Sequence, residues 1–229
     1  MSRTLKGILV LGAAFACYQA VALASGSSLP SSAPAGASAT VSPEERAVEA
    51  YNSGIEHKDK GKKFEEQAAG TQGSDAEKLL AKAQSEFEKS LKDFKNAAQN
   101  SPKLFQAYNG MGYAYRKTGN YTEALANYDK AIGMAPGFYA EAIEYRAEAY
   151  LSLNRIDDAK KAYMDLFAAD RKQADLLMAA MKNWVAKRQA DAAGVDAAAI
   201  ADFSKWVGER GDMARQSELM AISSASTRW

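Results

Sequence analysis

The chain has 229 residues, 47% hydrophobic and 25% charged, with a formal charge of +1, enough for one globular domain but too balanced for nucleic-acid binding by bulk charge. One cysteine (Cys17) and one histidine (His57) exclude an intramolecular disulfide, a thiolate cage and a multi-histidine metal site, and a Ser-His-Asp arrangement would have to be built on His57. About a fifth of the residues are alanine, and Pro102 and Pro136 lie 34 residues apart.

Residues 1–24 read as a secretory signal: Arg3 and Lys6, an apolar run from Gly7 through Leu23, then Ala22-Leu23-Ala24 as a small-x-small site with cleavage before Ser25. Two competing readings keep the chain on a membrane, an uncleaved anchor or a lipid on Cys17. The apolar run is short for a span, and Phe15 fits a lipidation site poorly. Cleavage would remove the cysteine and move the charge from +1 to −1 by loss of Arg3 and Lys6. Residues 25–42, rich in Ser, Ala, Gly and Pro, read as a flexible tether. The fold is expected to start with Ser42 as N-cap, Pro43 at the first helical position, and Glu44 and Glu45 in the first turn.

Tyr108, Met111, Gly112 and Tyr115 are followed by Ala124, Tyr128, Ala131 and Pro136. Gly112 and Ala124 are expected to face each other where two helices cross, with Tyr115 and Tyr128 beside them. Gly119 would end the first helix, Thr122 would cap the second, and Pro136 would stop it. A second copy follows: Ile143, Arg146, Ala147, Tyr150, then Ala159, Tyr163 and Leu166. Asn154 stands at the turn, Asp157 at the cap position, and Arg171 where proline is expected. These patterns resemble the tetratricopeptide repeat, a 34-residue helix–turn–helix unit.

Reading backward, Ser90, Phe94, Ala97 and Pro102 match the second helix of an earlier unit whose first helix starts near Arg46. That unit carries some 25 extra residues, read as two lengthened helices, each longer by roughly 18 Å, with a turn near Gly70–Gly73 capped by Ser74 or Asp75. A 4/3 stripe of Leu80, Gln84, Phe87, Leu91, Phe94 and Ala98 is expected to pack the hairpin, which would stand out from the stack over residues 56–85. Beyond Gln173, Leu177, Met178, Met181, Trp184 and Val185 form one apolar face. Asp196 would cap a helix bearing Ile200, Phe203, Trp206 and Val207. This pair closes the open end of a stack, with the two tryptophans in its core, and Ser223 to Trp229 is expected to be frayed.

The predicted fold is therefore all-α, a short solenoid of helix–turn–helix repeats with an elongated N-terminal hairpin and a C-terminal helical cap. Its divisions are 1–24, 25–42, 43–102, 103–138, 139–172 and 173–229. The resemblance implies a concave groove lined by the first helix of each repeat, binding an extended peptide or a partner helix. The groove positions it assigns are Gln106, Asn109, Tyr113, Arg116 and Lys117, then Glu141, Glu144 and Glu148. The three glutamates fall at i, i+3 and i+7, on one face. They would select a segment with a basic stretch, or else pair with Arg116 and Lys117 as a solvated face. The Lys/Asn arrangement with which some family members clamp a C-terminal carboxylate is not reproduced. Nothing near His57 in sequence suggests a nucleophile or an orienting partner.

The arrangement resembles exported repeat proteins of Gram-negative bacteria. It implies a non-enzymatic periplasmic adaptor or scaffold for other envelope proteins, with no cofactor, metal or nucleic acid. The alternative is an envelope-tethered assembly component held by the uncleaved signal or by lipidated Cys17.

Overall fold

The computed structural model describes residues 41–226, with side chains through Ser217, so the signal, Cys17 and most of the tether lie outside the described residues. The described residues form helices α1 (Pro43–Ala69), α2 (Gly73–Asn100), α3 (Phe105–Lys117), α4 (Tyr121–Met134), α5 (Ala140–Ser152), α6 (Ile156–Ala169), α7 (Arg171–Ala190) and α8 (Ala197–Ser226), and no strand. Each helix packs on the next, and α1, α3, α5 and α7 also touch in series, which gives the stack one lining face. Among the described residues no helix is long and apolar enough to cross a membrane.

α1 begins as its sequence dictates. Ser42 Oγ accepts from the Glu45 amide at 3.1 Å and the Ser42 amide donates to Glu45 Oε2 at 2.8 Å, a capping box with Pro43 following. The turn lies at Gly70 to Gln72, as expected, but neither Ser74 nor Asp75 caps α2: the helix starts at Gly73, and its N-cap Gln72 makes no side-chain bond.

The α1–α2 helix pair keeps Phe87, Phe94 and Ala98 of the expected stripe buried and departs from it at Leu80 and Gln84. Ala83, Ser90 and Ala97 fill the alternate positions, whereas Leu80 is 51% exposed and Gln84 faces solvent. The physical reason is close approach. Phe94 lies flat on Gly54, where an added Cβ would stand 2.7 Å from the ring, and Phe87 lies likewise on Gly61. Only small partners fit between backbones held that near, and Ser90 completes the seam by donating to the Gly54 carbonyl at 2.9 Å.

The hairpin does not project over the whole of residues 56–85. Phe87 meets Tyr113 of α3 edge-on at 6.0 Å between centroids, and Lys117 pairs with Glu65 at 2.5 Å. Phe64 and Ala83 join the same cluster. The stretch around the turn, beyond these contacts, is what extends past α3.

The inter-helix turns of the two repeats share one geometry. After α3, Gly119 takes φ +81°, its amide donates to the Arg116 carbonyl at 3.1 Å, and the Asn120 amide donates to the Tyr115 carbonyl at 2.8 Å. After α5, Asn154 takes φ +58°, and the Arg155 amide donates to the Tyr150 carbonyl at 2.8 Å. Both are Schellman closures. They also overturn two expected caps. Asn120 and Arg155 serve at once as the last residue of the closure and the first of the next helix, so Thr122 and Asp157 already lie inside α4 and α6. Gly112 abuts the Tyr128 ring, where an added Cβ would stand 2.7 Å from Tyr128 Cδ1, and Ala124 is buried in one cluster with Tyr128.

The C-terminal pair closes the stack as read. Ile143, Ala147, Tyr163, Leu166, Leu177, Met181 and Phe203 belong to one buried cluster. Asp196 caps α8 by accepting from the Ala198 amide at 2.8 Å. Asp170 ends α6 and caps α7 through the Gln173 amide at 3.1 Å, so Arg171 in place of proline starts the next helix directly. α8 continues through Ser226, past the expected fraying point at Ser223, and residues 227–229 lie outside the described residues.

Candidate functional site

The lining face is organised by a column of rings. Tyr113 on α3 meets Tyr145 on α5 at 5.0 Å and 65°, and Tyr145 leans toward Tyr128 on α4 at 6.4 Å. The Arg116 guanidinium lies 5.1 Å from the Tyr113 centroid and 5.6 Å from that of Tyr145, and it forms an ion pair with Glu148. Arg116 is thereby fixed on three sides. Burial pushes the Tyr113, Tyr128 and Tyr145 hydroxyls above their ordinary range, so all three stay neutral.

Glu144, one turn before Glu148, is 2% exposed, and its Oε2 meets no partner among the described residues. Burial first, then the neighbouring Glu148 carboxylate, pushes its carboxyl up to about 8, although Arg116 opposes the shift. At neutral pH Glu144 is thus largely a neutral acid.

These groups border a cleft of about 370 Å³. Lys62 of α1 forms one wall, Tyr113, Arg116, Lys117, Tyr145 and Glu148 the floor, and Leu176, Ala179, Ala180 and Asn183 of α7 the other wall. The eight positions assigned to the groove fall into two places. Tyr113, Arg116, Lys117, Glu144 and Glu148 come together at the cleft. Gln106, Asn109 and Glu141 lie toward the start of α3 and α5. There Asn109 is buried, donating to Tyr139 OH at 3.0 Å and to Glu141 Oε2 at 3.1 Å. Gln106 borders a separate shallow hollow with Phe105, Pro136 and Phe138.

The glutamates are therefore not one free acidic stripe: one is buried, one pairs with Arg116, and one is tied to Asn109. Of the two expected pairings, Arg116 does meet an α5 glutamate, while Lys117 turns to Glu65 of α1. Sequence reading missed Lys62, Tyr145 and the α7 wall. The signal for the wall was present: Leu176, Ala179 and Asn183 fall at i, i+3 and i+7, opposite the apolar face that α7 buries. It becomes legible once α7 is treated as the first helix of a further unit.

Residues 105–138, spanning α3 and α4, match the tetratricopeptide repeat family model. This segment is a tetratricopeptide repeat. Comparison with curated proteins gives no match. The repeat supplies Gln106 through Lys117 of the candidate groove. α5 and α6 reproduce its turn geometry and its buried small and aromatic positions, and α7 occupies the next lining place.

His57 has neighbours that sequence proximity did not reveal, because they come from α2. Its Nδ1 lies 2.6 Å from Glu86 Oε2, and its Nε2 3.9 Å from Asp93 Oδ2, which accepts from Ser53 Oγ at 2.6 Å. Lys89 and His57 hold the Glu86 carboxyl below its usual range. Ser53 donates to Asp93 and not to the imidazole, so the nucleophile-to-base contact of a serine triad is not formed. The group acts as a polar crosslink between α1 and α2. Among the described residues no three His, Cys, Asp or Glu side chains converge as metal ligands do.

Proposed function

We propose that the protein is a non-enzymatic adaptor that holds a segment of another protein in the cleft between α1 and α7, and that it works in the bacterial periplasm after export. Tetratricopeptide repeats mediate protein–protein interaction and are typically non-catalytic. The observation that carries the reading is the cleft itself. Its floor is a set of rings and ions fixed by one another, and its α7 wall presents Leu176, 50% exposed, beside the small residues Ala179 and Ala180. A rigid floor next to an exposed aliphatic wall binds without first ordering its own side chains. Export rests on Arg3, Lys6, the apolar run and Ala22-Leu23-Ala24.

The test is photocrosslinking in cells with a benzophenone amino acid at Ala179 or at Lys161, an exposed position on α6. A crosslinked partner from Ala179 and none from Lys161 is expected. Equal yields from both positions would move binding away from the cleft. Mass measurement of the secreted species checks export separately, with a chain beginning at Ser25 expected.

A further inference from the structure

The charges around the cleft are unevenly committed. Arg116 is taken by Glu148, and Lys117 by Glu65. Glu144 is buried beside Glu148, where burial keeps its carboxyl largely protonated at neutral pH. Glu141 is tied to Asn109 outside the cleft. Among the described residues no ion pair reaches Lys62, or Lys58 one turn away, whose Nζ lies 5.6 Å from the Tyr113 centroid. The cleft therefore offers an unpaired cation on its α1 wall, Lys62, with Lys58 one turn away, and among its lining residues the two carboxyls are the buried Glu144 and the Arg116-paired Glu148. Across from Lys62, Leu176 and Ala179 are exposed, and the small side chains of Ala179 and Ala180 allow a backbone to approach α7 closely.

We propose that the segment seated here is acidic and aliphatic, placing a side-chain carboxylate against Lys62 and an aliphatic side chain on Leu176 and Ala179. This rests on the reading that the cleft is the protein-binding surface, and it reverses the charge expected from the glutamate stripe. A basic segment would meet Lys62 and Lys117 with every carboxylate of the cleft already engaged or buried. An acidic one gains the attraction of an unpaired lysine, together with burial of the Leu176 side chain.

The experiment pans a random 15-residue peptide library on the full chain, in parallel with the Leu176→Asp and Ala179→Arg variants. Both replaced side chains are exposed, so the fold is retained and circular dichroism verifies it. The expected result is an enriched family, lost on both variants, in which Asp or Glu accompanies Leu, Ile or Val. Its affinity should fall at least tenfold on Lys62→Glu and weaken as salt is raised. A family lost on both variants but basic or neutral, or indifferent to Lys62→Glu, overturns the acidic preference and leaves the cleft as the binding surface. Enrichment indifferent to both Leu176→Asp and Ala179→Arg, or no enrichment at all, overturns the cleft as well.

Discussion

Glu144 is buried one helical turn from Glu148, and the two carboxyls cannot both be charged at neutral pH without cost. Glu148 forms an ion pair with Arg116, while burial, then the neighbouring Glu148, pushes the Glu144 carboxyl up to about 8 from an ordinary value of 4.5. Between those two values the native state binds a proton that the unfolded chain has released, so stability should fall as pH rises through this window and level off above it. The contribution of one group to that slope is at most about 1.4 kcal/mol per pH unit. Glu144→Gln keeps the shape and removes the titration. Urea midpoints at pH 5.5, 7 and 8.5 should decline more steeply in the natural protein than in the variant, with the variant relatively stabilised at pH 8.5. Parallel profiles would mean that Glu144 is charged in the native state.

Phe94 is clamped between two glycines. An added Cβ at Gly54 or at Gly110 would stand 2.7 or 2.6 Å from its ring, and Tyr51 leans on the same ring at 5.6 Å, so the ring has little room to turn aside. Gly110→Ala should therefore destabilise by about 1–3 kcal/mol through overpacking, despite the gain of up to ~1 kcal/mol that alanine brings to a helix interior. Gly208→Ala in α8 meets nothing within 4 Å and should show the gain alone. Thermal melting of the two variants, moved in opposite directions, checks the pair; a stabilised Gly110→Ala would refute the clamp.

The repeat was legible from sequence because its contacts are local. Tyr128, Ala131, Ala147, Ala159, Tyr163 and Leu166 are all buried as their spacing required, and Gly119 and Asn154 take the positive φ assigned to them. The capping residues were misplaced by one step because a Schellman closure lets Asn120 and Arg155 do two jobs, and no composition rule marks that. The hairpin register was ambiguous in principle: Phe87 and Phe94 belong to both possible stripes, and only the closeness of α1 at Gly54 and Gly61 selects alanine and serine over leucine and glutamine. The site was half legible. Helical spacing put five assigned residues together, but whether a glutamate is free, paired or protonated depends on Arg116 and on burial, which are properties of three helices at once.

Trp184 ties the cap to the repeats. Its Nε1–H donates to the Leu151 carbonyl in the last turn of α5 at 2.7 Å, and its ring meets Phe203 of α8 edge-on at 5.4 Å. Trp184→Phe retains most of the apolar contact and loses the donor, so the expected cost is about 1–2 kcal/mol. Trp184→Ala also opens a cavity under α8 and should cost about 3–5 kcal/mol. Equilibrium unfolding followed by far-ultraviolet circular dichroism separates the two. Equal losses would mean that the hydrogen bond alone holds the cap.

The hairpin divides into a packed base and a free tip, and two deletions distinguish them. Removing residues 56–85 and closing the gap with glycine takes away Gly61, Phe64, Glu65 and Ala83. That takes Phe64 and Ala83 out of the cluster around Phe87 and Tyr113 and leaves Lys117 without its carboxylate. This deletion should abolish cooperative melting or lower the midpoint sharply. Removing only residues 67–81 leaves Phe64 with Lys82 against its ring at 5.8 Å, Glu65 with Lys117, and Phe87 with Tyr113. It shortens two antiparallel helices at their open end, where the chain buries little more than Ala68. Its repeats should melt cooperatively, within a few degrees of the intact chain. Loss of cooperativity in the short deletion as well would place the tip inside the folding unit and overturn the division.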